Sequence, residues 1–561
     1  MLLCVGFSFS QTKNDTVKSI SELSELVISA KLPTDYSKLA NQVFAISAKQ
    51  IDFQNFQSTA ELLSNSGALF VQKSQQGGGS PAIRGFEASR VLLLVDGVRM
   101  NNLIFRAGHL QNVITVDESM LENVGIFYGP TSTLFGSDAL GGTVAMTTKR
   151  AKFLNETKNK FTGGINTRYS SVNKEKSIAF TLNYAATNFA ALSILSFNDF
   201  GDLKMGKERN HNGDYFGERP TYVTTVNGVD QLNSSNDKYT QVGSGYKQYN
   251  FLQKFAYKTS SGFEHGLNLQ FSTSSDINRY DRLTETAGSG LKFSEWYYGP
   301  QQRVLGVYSL SKEKALLGSD LKLNVAYQNA KESRHNRSFG NYNLQNRNEN
   351  VMMYSVGFDL DKKFTKGELF YGFESYFETL NSTAFANNIN TGVRTDLDTR
   401  YPNGVNNMMR NDVYVSYNEK ISEKTVWNAG ARIGYTTLKS TIAYDTFFSL
   451  PFTSISQGNF TYSGTFGIVH KTSNNFTLKA NVASGFRAPN VDDLAKVFES
   501  VPGTLIVPNE DLKPEKTVTA DLGFVIKSDS KRFKLENTYF YTRLYDAIVT
   551  APSTYNGLNT I

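Results

Sequence analysis

From about residue 161 onward, apolar and polar residues alternate along the chain. The segment IAFTLNYAA at 178–186 places apolar or aromatic side chains at every second position, and DLKLNVAY at 320–327 and WNAGARIGY at 427–435 repeat the pattern. A two-residue period describes strands with one apolar and one polar face. The second part of the chain is therefore predicted to consist of β-strands.

The spacing of these segments predicts a barrel. About fifteen strands of about ten residues are expected, a length that suits a tilted membrane strand. Their predicted starts lie near residues 161, 177, 189, 248, 265, 303, 319, 351, 366, 409, 424, 459, 475, 516 and 532. Short turns are expected at 186–188, 260–263, 471–475 and 528–532, and long connections at 200–247, 276–302, 331–350, 380–408, 438–458 and 486–515. Long loops at one end and tight turns at the other are typical of an all-β transmembrane barrel, whereas a soluble sandwich has no reason to sort its loops in this way.

Residues before about 150 do not follow the alternation and form a separate block of apolar runs and Gly-rich turns. The short apolar start, residues 1–10, is interpreted as the remnant of a signal peptide. We expect a periplasmic segment at 11–40, a plug domain at 41–150 and the barrel at 151–561. A domain that precedes a barrel and is small enough to enter it is a natural plug, and barrels of about 22 strands are wide enough to need one.

Composition supports this picture and excludes several functions. The chain has 561 residues with 44 Gly, 29 Tyr and 40 Phe, but only 12 Pro and one Cys. This mixture favours many strands joined by polar loops, and a single cysteine excludes a disulfide framework or a thiolate metal cluster. The formal net charge is +7, and the Lys and Arg residues are dispersed. No nucleic-acid partner is therefore expected.

The glycines of GGGSPAIRGFEASRVLLLVDGVRMNN, residues 77–102, suggest a phosphate-binding loop at first sight. A Walker loop needs G-x-x-x-x-G-K-[ST], and no Lys-Ser or Lys-Thr follows these glycines. They are better explained as turns and close backbone packing. Asp96-Gly97, after the run RVLLLV, predicts a tight hairpin turn.

Two segments carry a family resemblance. SPAIRGFEASRVLLLVDGVRMNN at 80–102, followed by LENVGIFYGPTSTLFGSDALGGTVAMTTKR at 121–150, resembles the plug domain of TonB-dependent outer-membrane receptors. Upstream, SELVISA resembles the TonB box, with a core of Leu26, Val27, Ile28, Ser29 and Ala30. The plug signature residues are Arg84, Gly85, Asp96, Gly97, Arg99, Gly129, Pro130, Gly136, Gly141 and Gly142.

The resemblance implies a fold and an activity. The family fold is a barrel of about 22 antiparallel strands with an α/β plug in its lumen, so the closing strands are expected to be missing here. The implied activity is active import across the outer membrane of a Gram-negative bacterium, after an extracellular ligand binds above the plug. The implied partners are outer-membrane lipid and the TonB protein with its inner-membrane energising complex, and TonB would capture the box by strand addition.

The cargo is suggested by motifs in the barrel. FRAP at 486–489 and PNEDL at 508–512 resemble the paired boxes of haem receptors, which makes Arg487, Pro489, Asn509 and Leu512 candidate ligand-binding residues. NRYDRL, EWYYGPQQR and KESRHNRSFG resemble the haemoglobin, transferrin and lactoferrin receptor branch. FRAP-like boxes also occur in siderophore and cobalamin receptors. The cargo is therefore haem, a haemoprotein, a ferric siderophore or cobalamin, with haem favoured.

The chain has five histidines, and none lies between the two boxes, at 490–507, where haem receptors usually carry a ligand. His109, between two plug strands, is the candidate axial ligand to haem iron, because a neutral imidazole in an apical loop could take that position. His335 is a second candidate. His265 and His470 are expected at strand ends on the short-turn side in structural roles. No intrinsic metal or cofactor is expected, and haem would be a transported ligand.

The sequence is less consistent with two other classes of function. An enzyme within a barrel is not expected, because the sequence contains no HExxH, no GxSxG and no clustered His and Cys. A passive porin or adhesin needs neither a plug nor a TonB box. The sequence therefore predicts a receptor-transporter.

Overall fold

The computed structural model describes residues 38–106, 112–154, 159–208, 217–288, 290–443, 453–496, 509–530, 532–555 and 558–560. Within these ranges, strands make up most of the chain, in a small mixed sheet followed by one large antiparallel sheet. No helix in the described ranges is both long enough and apolar enough to cross a bilayer.

The first body is the plug, and it is built around the run VLLLV. Its strands are β1 (Val43–Ser47), β2 (Phe70–Gln72), β3 (Ser80–Ile83), β4 (Phe86–Glu87), β5 (Val91–Val95), β6 (Val98–Arg99), β7 (Leu121–Tyr128) and β8 (Gly142–Thr148). Its helices are α1 (Ala48–Gln54), α2 (Thr59–Asn65) and α3 (Ser132–Phe135). The main sheet has the order β1-β7-β8-β5-β6, and β5 runs parallel to β8. All five residues of β5 are buried because apolar side chains cover both faces of this inner strand.

The hairpin predicted at Asp96-Gly97 is confirmed. β5 and β6 pair through Val95 and Val98, so Asp96 and Gly97 alone form the turn. Both have a positive φ, 50° and 83°, which is the requirement of a type I′ turn and the reason for the Asp-Gly pair. Glycine at 141 has a different cause, because a Cβ there would lie 2.4 Å from the Cβ of Phe86.

The second body is the barrel, which in the described residues consists of one large sheet and three separate two-stranded hairpins. Its long and short strands are β9 (Lys160–Ser170), β10 (Glu175–Ala185), β11 (Phe189–Phe200), β12 (Thr221–Val226), β13 (Val229–Ser234), β14 (Tyr246–Lys258), β15 (Glu264–Ser274), β16 (Ile277–Asn278), β17 (Thr286–Ala287), β18 (Gly290–Leu291), β19 (Phe293–Tyr298), β20 (Gln302–Leu316), β21 (Ser319–Ser338), β22 (Asn343–Lys363), β23 (Gly367–Asn388), β24 (Arg394–Asp396), β25 (Asn406–Ser422), β26 (Thr425–Thr441), β27 (Ser454–Lys471), β28 (Phe476–Arg487), β29 (Glu515–Lys527), β30 (Lys534–Tyr545), β31 (Ser553–Tyr555) and β32 (Leu558–Thr560). Two one-turn helices, α4 (Tyr280–Leu283) and α5 (Val491–Leu494), lie in its connections.

Fifteen of these strands, each 11 residues or longer, form the wall and confirm the predicted number. All but two begin within three residues of the predicted start. Successive long strands pair antiparallel from β9 to β30. The strand order can be written as a ring, but no residue pairs join β30 to β9 in the described part of the chain. We therefore regard β9 and β30 as the two edges of the curled sheet.

The predicted strand length and one predicted loop are wrong. β21, β22 and β23 contain 20, 21 and 22 residues, and the expected long connection at 331–350 is mostly strand, with only 339–342 between β21 and β22. The extension of β21, residues 331–338, is polar on both faces, so the two-residue period disappears from the sequence there. The ladder continues because each neighbouring strand is equally long and satisfies the backbone.

The two faces of the wall differ in polarity, as the alternation predicted. Exposed apolar and aromatic side chains form an outer band, which includes a row of Tyr327, Tyr354 and Phe377 on three adjacent strands. The ring centroids of Tyr327 and Tyr354 are 5.2 Å apart. The inner face carries buried polar side chains that contact the plug. The predicted barrel with an N-terminal plug is confirmed.

Candidate functional site

Asp96, in the plug hairpin, is an anchor between the plug and the wall. Its carboxylate accepts hydrogen bonds from Asn268 and Gln270 of β15, each at 2.8 Å, and lies 3.2 Å from the Lys254 ammonium. Burial by itself would raise the pKa of Asp96, but Lys254 and the hydrogen bonds from Thr148 and Asn268 outweigh it and lower the pKa. Asp96 is therefore an ionised anchor.

The signature arginines also make buried ion pairs. Arg84 of the plug lies 2.7 Å from Asp521 of β29, and both side chains are buried. Arg99 pairs with Asp138 at 2.6 Å and donates to the carbonyl of Ser137, so it closes the loop that follows α3. Removal of one partner of such a pair leaves a buried, uncompensated charge, which costs about 3–5 kcal/mol. Arg84 therefore ties the plug to the wall, whereas Arg99 fixes a loop within the plug.

The signature segment around Pro130 and the glycines Gly129, Gly136, Gly141 and Gly142 faces the end of β28. Gly129 and Gly136 have φ of 78° and 82°, which bend the chain around α3. Arg432 of β26 donates to the carbonyl of Leu134 at 2.8 Å and pairs with Glu374 at 2.7 Å. Arg432 of the wall thus donates to a carbonyl that this short helix leaves without an intrahelical partner.

The FRAP segment continues this contact. The amide of Phe486 donates to the Ser132 hydroxyl at 3.1 Å, and the amide of Ala488 donates to the Ser137 hydroxyl at 3.2 Å. The amide of Asp138 donates in return to the carbonyl of Phe486 at 3.0 Å. In this structure, FRAP joins the barrel to the plug.

Arg487 lies at this contact between the FRAP segment and the plug. Its Nε is 2.5 Å from Glu515, and its two Nη atoms are 2.6 and 3.1 Å from the carboxylate oxygens of Asp493. Arg90 of the plug pairs with the same Glu515 at 2.7 Å. Arg487 is buried, and all the polar contacts that the structure gives it are within the protein. Its ligand-binding role stays a prediction.

Pro489 is buried, and it belongs to a short segment, 488–496, that lies on the plug. Asn490 caps α5 and donates to the carbonyl of Phe105 at 2.6 Å, and the amide of Val491 donates to the carbonyl of Leu103 at 2.8 Å. We call residues 488–496 the apical strap. The strap covers the tip of the plug on the long-loop side.

The other two box residues lie at the edge of this region. Asn509 is exposed, and its side chain accepts a hydrogen bond from the amide of Asp511 at 2.9 Å. Leu512 packs against a buried apolar cluster. That cluster, the apical cluster, consists of Leu103, Ile104, Val351, Met353, Leu380, Tyr401, Met408, Leu438, Ile455, Ala488, Val491, Leu494 and Ala495.

A set of charged groups, the apical charges, lies beside the apical cluster. Arg106 of the plug is 3.1 Å from Glu332 of β21, and the Tyr401 hydroxyl donates to Asp492 at 2.7 Å. Arg400 lies 3.7 Å from Asp492. Burial alone would raise the pKa of Asp492, but the positive charges around it, chiefly Arg400, lower it. This buried region is therefore rich in fixed cations.

His335 does not lie among these groups. It belongs to β21, where Glu332 faces inward to the plug, and the alternation turns His335 to the outer face. Its ring stacks on Tyr297 with centroids 4.6 Å apart, and its Nδ1 is 2.7 Å from the Asn346 side-chain oxygen. The expected loop position of His335 is wrong, and its ligand role stays a prediction.

The remaining histidines and the TonB box differ in whether the structure describes them. His109 and residues Leu26–Ala30 lie outside the described residues. His265 and His470 lie at the short-turn ends of β15 and β27, as predicted, and they contact Tyr308 at 2.8 Å and Thr425 at 2.9 Å. The groups that sequence reasoning missed are Arg106, Arg400, Tyr401 and Asp492, which carry no motif and come from separate segments. Of these four residues, only Arg106 could have been recognised from the sequence, because it lies three residues before His109.

A test of the strap follows from the Arg487 contacts. We expect Arg487→Gln to speed amide hydrogen exchange across 488–496, because Asp493 and Glu515 would lose their shared cation, at a cost of about 3–5 kcal/mol. The control is Arg394→Gln, a substitution of an exposed arginine in β24. Unchanged exchange at Val491 would contradict the role assigned to Arg487.

Comparison with known proteins gives consistent matches. A family model described as TonB dependent receptor-like, beta-barrel matches residues 225–560, and the TonB-dependent Receptor Plug Domain matches residues 35–143. The chain is 22% identical to Heme/hemopexin utilization protein C of Haemophilus influenzae, over 83% of this chain and 65% of that protein. It is also 22% identical to the Vitamin B12 transporter BtuB of Vibrio vulnificus, over 85% of this chain and 63% of that protein. The chain thus spans less than two thirds of the length of these two relatives.

A solved structure extends the match in three dimensions. The hemophore receptor HasR of Serratia marcescens, solved with its hemophore HasA and heme, superimposes with a TM-score of 0.69 at 15% identity. The match covers 91% of this chain and 73% of that one. At this level of identity, the likeness concerns the fold.

Proposed function

This chain belongs to the TonB-dependent receptor family, and from that premise we propose that it is an outer-membrane receptor that binds an iron-containing ligand. The favoured ligand is haem, free or carried by a protein. The receptor imports it into the periplasm with energy transduced by TonB. The observation that carries this proposal is the buried apical region, where an apolar cluster lies next to fixed cations.

Haem matches this region in its chemistry. Its macrocycle is apolar, and its two propionates are anionic. The apical cluster offers apolar surface, including Leu103 and Ile104 of the plug. Arg106 and Arg400 supply guanidinium groups that can bind carboxylates in a bidentate manner. The apical strap covers this region, so ligand entry requires the strap to move aside.

His109 is the residue that we assign to haem iron. It is three residues from Arg106, whose ion pair with Glu332 fixes that end of the apical loop. A neutral imidazole there would ligate iron while Arg106 binds a propionate. His335, on the outer face of the wall, is the weaker candidate.

Import requires the plug to open, and β1 is the first described strand after the predicted TonB box. It is the edge strand of the plug sheet, and only five residue pairs join it to β7. The later part of the plug is tied to the wall by the buried Arg84–Asp521 ion pair and by the hydrogen bonds that Asp96 accepts from Asn268 and Gln270. Force applied at residues 26–30 would therefore separate β1 from β7 before it disturbs the anchored part.

A ferric siderophore or cobalamin is the second candidate cargo. The Vitamin B12 transporter of Vibrio vulnificus matches as much of this chain as the haem utilisation protein does. Fixed arginines bind the anionic groups of siderophores as readily as propionates. A passive pore is less consistent with the fold, because the plug contacts the wall through buried side chains.

Haemin titration of the purified protein tests the cargo. We expect a saturable Soret band, a changed band shape for His109→Ala, and at least about tenfold weaker binding for Arg106→Gln, equivalent to about 1.4 kcal/mol. The control is His265→Ala at the short-turn end, which should bind as the unsubstituted protein does. An unchanged His109→Ala spectrum would remove that ligand, and no binding at all would favour a siderophore.

A further inference from the structure

The outer wall carries a polar groove that the import function does not use. It has a volume of about 590 Å³, and its lining includes Gln302, Lys331, Ser333, Asn348, Asn350 and Asn381 from β20 to β23. This volume is within the range of small-ligand sites, about 300–1,000 Å³. We call it the upper groove.

The groove faces outward, away from the plug. Glu332 of β21 faces inward, where it meets Arg106, so its neighbours Lys331 and Ser333 face outward. The same alternation on β22 turns Asn348 and Asn350 to the side of exposed Tyr354. The groove is therefore open to whatever surrounds the barrel.

A second groove lies directly below the first, on the same strands. It has a volume of about 410 Å³ and is lined mainly by apolar residues, among them Leu267, Val325, Tyr327, Val356 and Phe377. We call it the lower groove. Gly306 of β20 forms part of its lining, at a point where Leu269 and Tyr327 are its neighbours on the adjacent strands. Because glycine has no side chain, a hollow remains on the outer face at this position.

The aromatic row forms the edge of the lower groove that is nearest to the upper groove. Tyr327 pairs with Tyr354, and Tyr354 pairs with Phe377. Four residues further along the strands, Lys331 pairs with Asn350, which pairs with Asn381. Aromatic girdles of outer-membrane barrels mark the boundary between hydrocarbon and headgroups. The upper groove then lies at headgroup height and the lower groove lies against hydrocarbon.

The chemistry of the upper groove suits a sugar. Asparagine, glutamine and serine side chains donate and accept hydrogen bonds without a net charge, as sugar hydroxyls require. The lining also includes Lys331 and Asp276, both exposed, so one cation and one carboxylate add further hydrogen-bonding groups for a sugar. The stacked rings of Tyr297 and His335 form one wall.

We infer that the two grooves together bind one glycolipid of the outer leaflet, with its sugar headgroup in the upper groove and an acyl chain in the lower groove. The polar groove alone would fit a free oligosaccharide, and the apolar groove alone would fit any lipid. Because the polar groove and the apolar groove adjoin on the same strands, a ligand that fills both must have a sugar part and an apolar part. The inference rests on the outer-membrane placement proposed above but not on the cargo.

The test measures binding of purified short-chain lipopolysaccharide to the detergent-solubilised protein by native mass spectrometry. We expect about one tightly retained molecule per chain. Lys331→Ala combined with Asn350→Ala should weaken retention at least about tenfold, and Gly306→Leu should do so by filling the lower groove. Delipidated core oligosaccharide and phosphatidylglycerol should each bind far more weakly than the intact glycolipid.

Matched controls lie elsewhere on the same outer wall. Lys439→Ala removes an equally exposed lysine above the apolar band on β26, and Gly464→Leu adds a side chain to the outer face of β27. Equal retention by the groove variants and these controls overturns the inference, as does oligosaccharide binding as tight as that of the intact glycolipid. Haem binding is measured in a separate titration. A protein that retains the glycolipid but does not bind haem would contradict only the proposed cargo.

Discussion

Deletion of residues 26–30 is expected to abolish ligand uptake while haem binding changes by less than about twofold, equivalent to about 0.4 kcal/mol. The residues proposed to bind the ligand, the apical cluster and the apical charges, come from the described plug and barrel, among them Leu103, Arg106 and Asp492. The segment would supply the strand that TonB captures, so its loss uncouples binding from the energy source. Uptake of radiolabelled haemin and equilibrium binding to the same cells measure the two effects.

A deletion of the same length at 12–16 is the control, since it would shorten the predicted periplasmic segment and keep the predicted box. We expect it to retain uptake. If the 26–30 deletion imported ligand at the normal rate, the assignment of this segment as the TonB box would be wrong.

Tying β1 to β7 should also stop uptake. Ser47 and Asn123 are opposite each other in the β1–β7 ladder, so Ser47→Cys with Asn123→Cys can form a disulfide across it. When oxidised, the pair prevents the separation of β1, and uptake should fall to background. A reductant should restore uptake, and binding should remain in both states.

A disulfide within the wall serves as the control for oxidation itself. The hydroxyls of Thr519 and Thr542, on β29 and β30, are 2.7 Å apart, so Thr519→Cys with Thr542→Cys joins two barrel strands and leaves the plug untied. We expect normal uptake with this bond formed. Normal uptake with the oxidised 47–123 pair would contradict the opening of the plug at β1.

Much of the fold could be predicted because the alternation of apolar and polar residues in a wall strand reflects the environment of each face. A residue of a barrel strand faces either the outer surface or the lumen, so the alternation at 178–186 or 427–435 is a local consequence of position. The Asp96-Gly97 turn is equally local, because the positive φ angles of both residues restrict the residue types.

The extensions of β21 to β23 could not be predicted in this way. Beyond the apolar band both faces are polar, so the strand at 331–338 and a polar loop have the same composition. The outward direction of His335 follows from the register, which only the neighbouring strands define. The resemblance of its motif could identify this histidine as a candidate, but it could not predict which side of the wall the histidine faces.

The candidate site was predicted only in part for a related reason. Arg487 was marked by the FRAP motif, but its partners Asp493 and Glu515 are brought to it by the fold. The apical charges come from the plug, β21 and two connections, and long-range contacts of this kind leave no spacing in the sequence. The role of FRAP in joining plug and barrel likewise needed the structure.

The most direct test of the account is accumulation of radiolabelled haemin by cells that express the protein, measured before and after a protonophore discharges the inner-membrane gradient. The account predicts that surface binding persists while accumulation stops, because the anchored plug blocks the lumen until TonB delivers force. Accumulation that continues at the same rate without the gradient would show a passive pore and contradict the account.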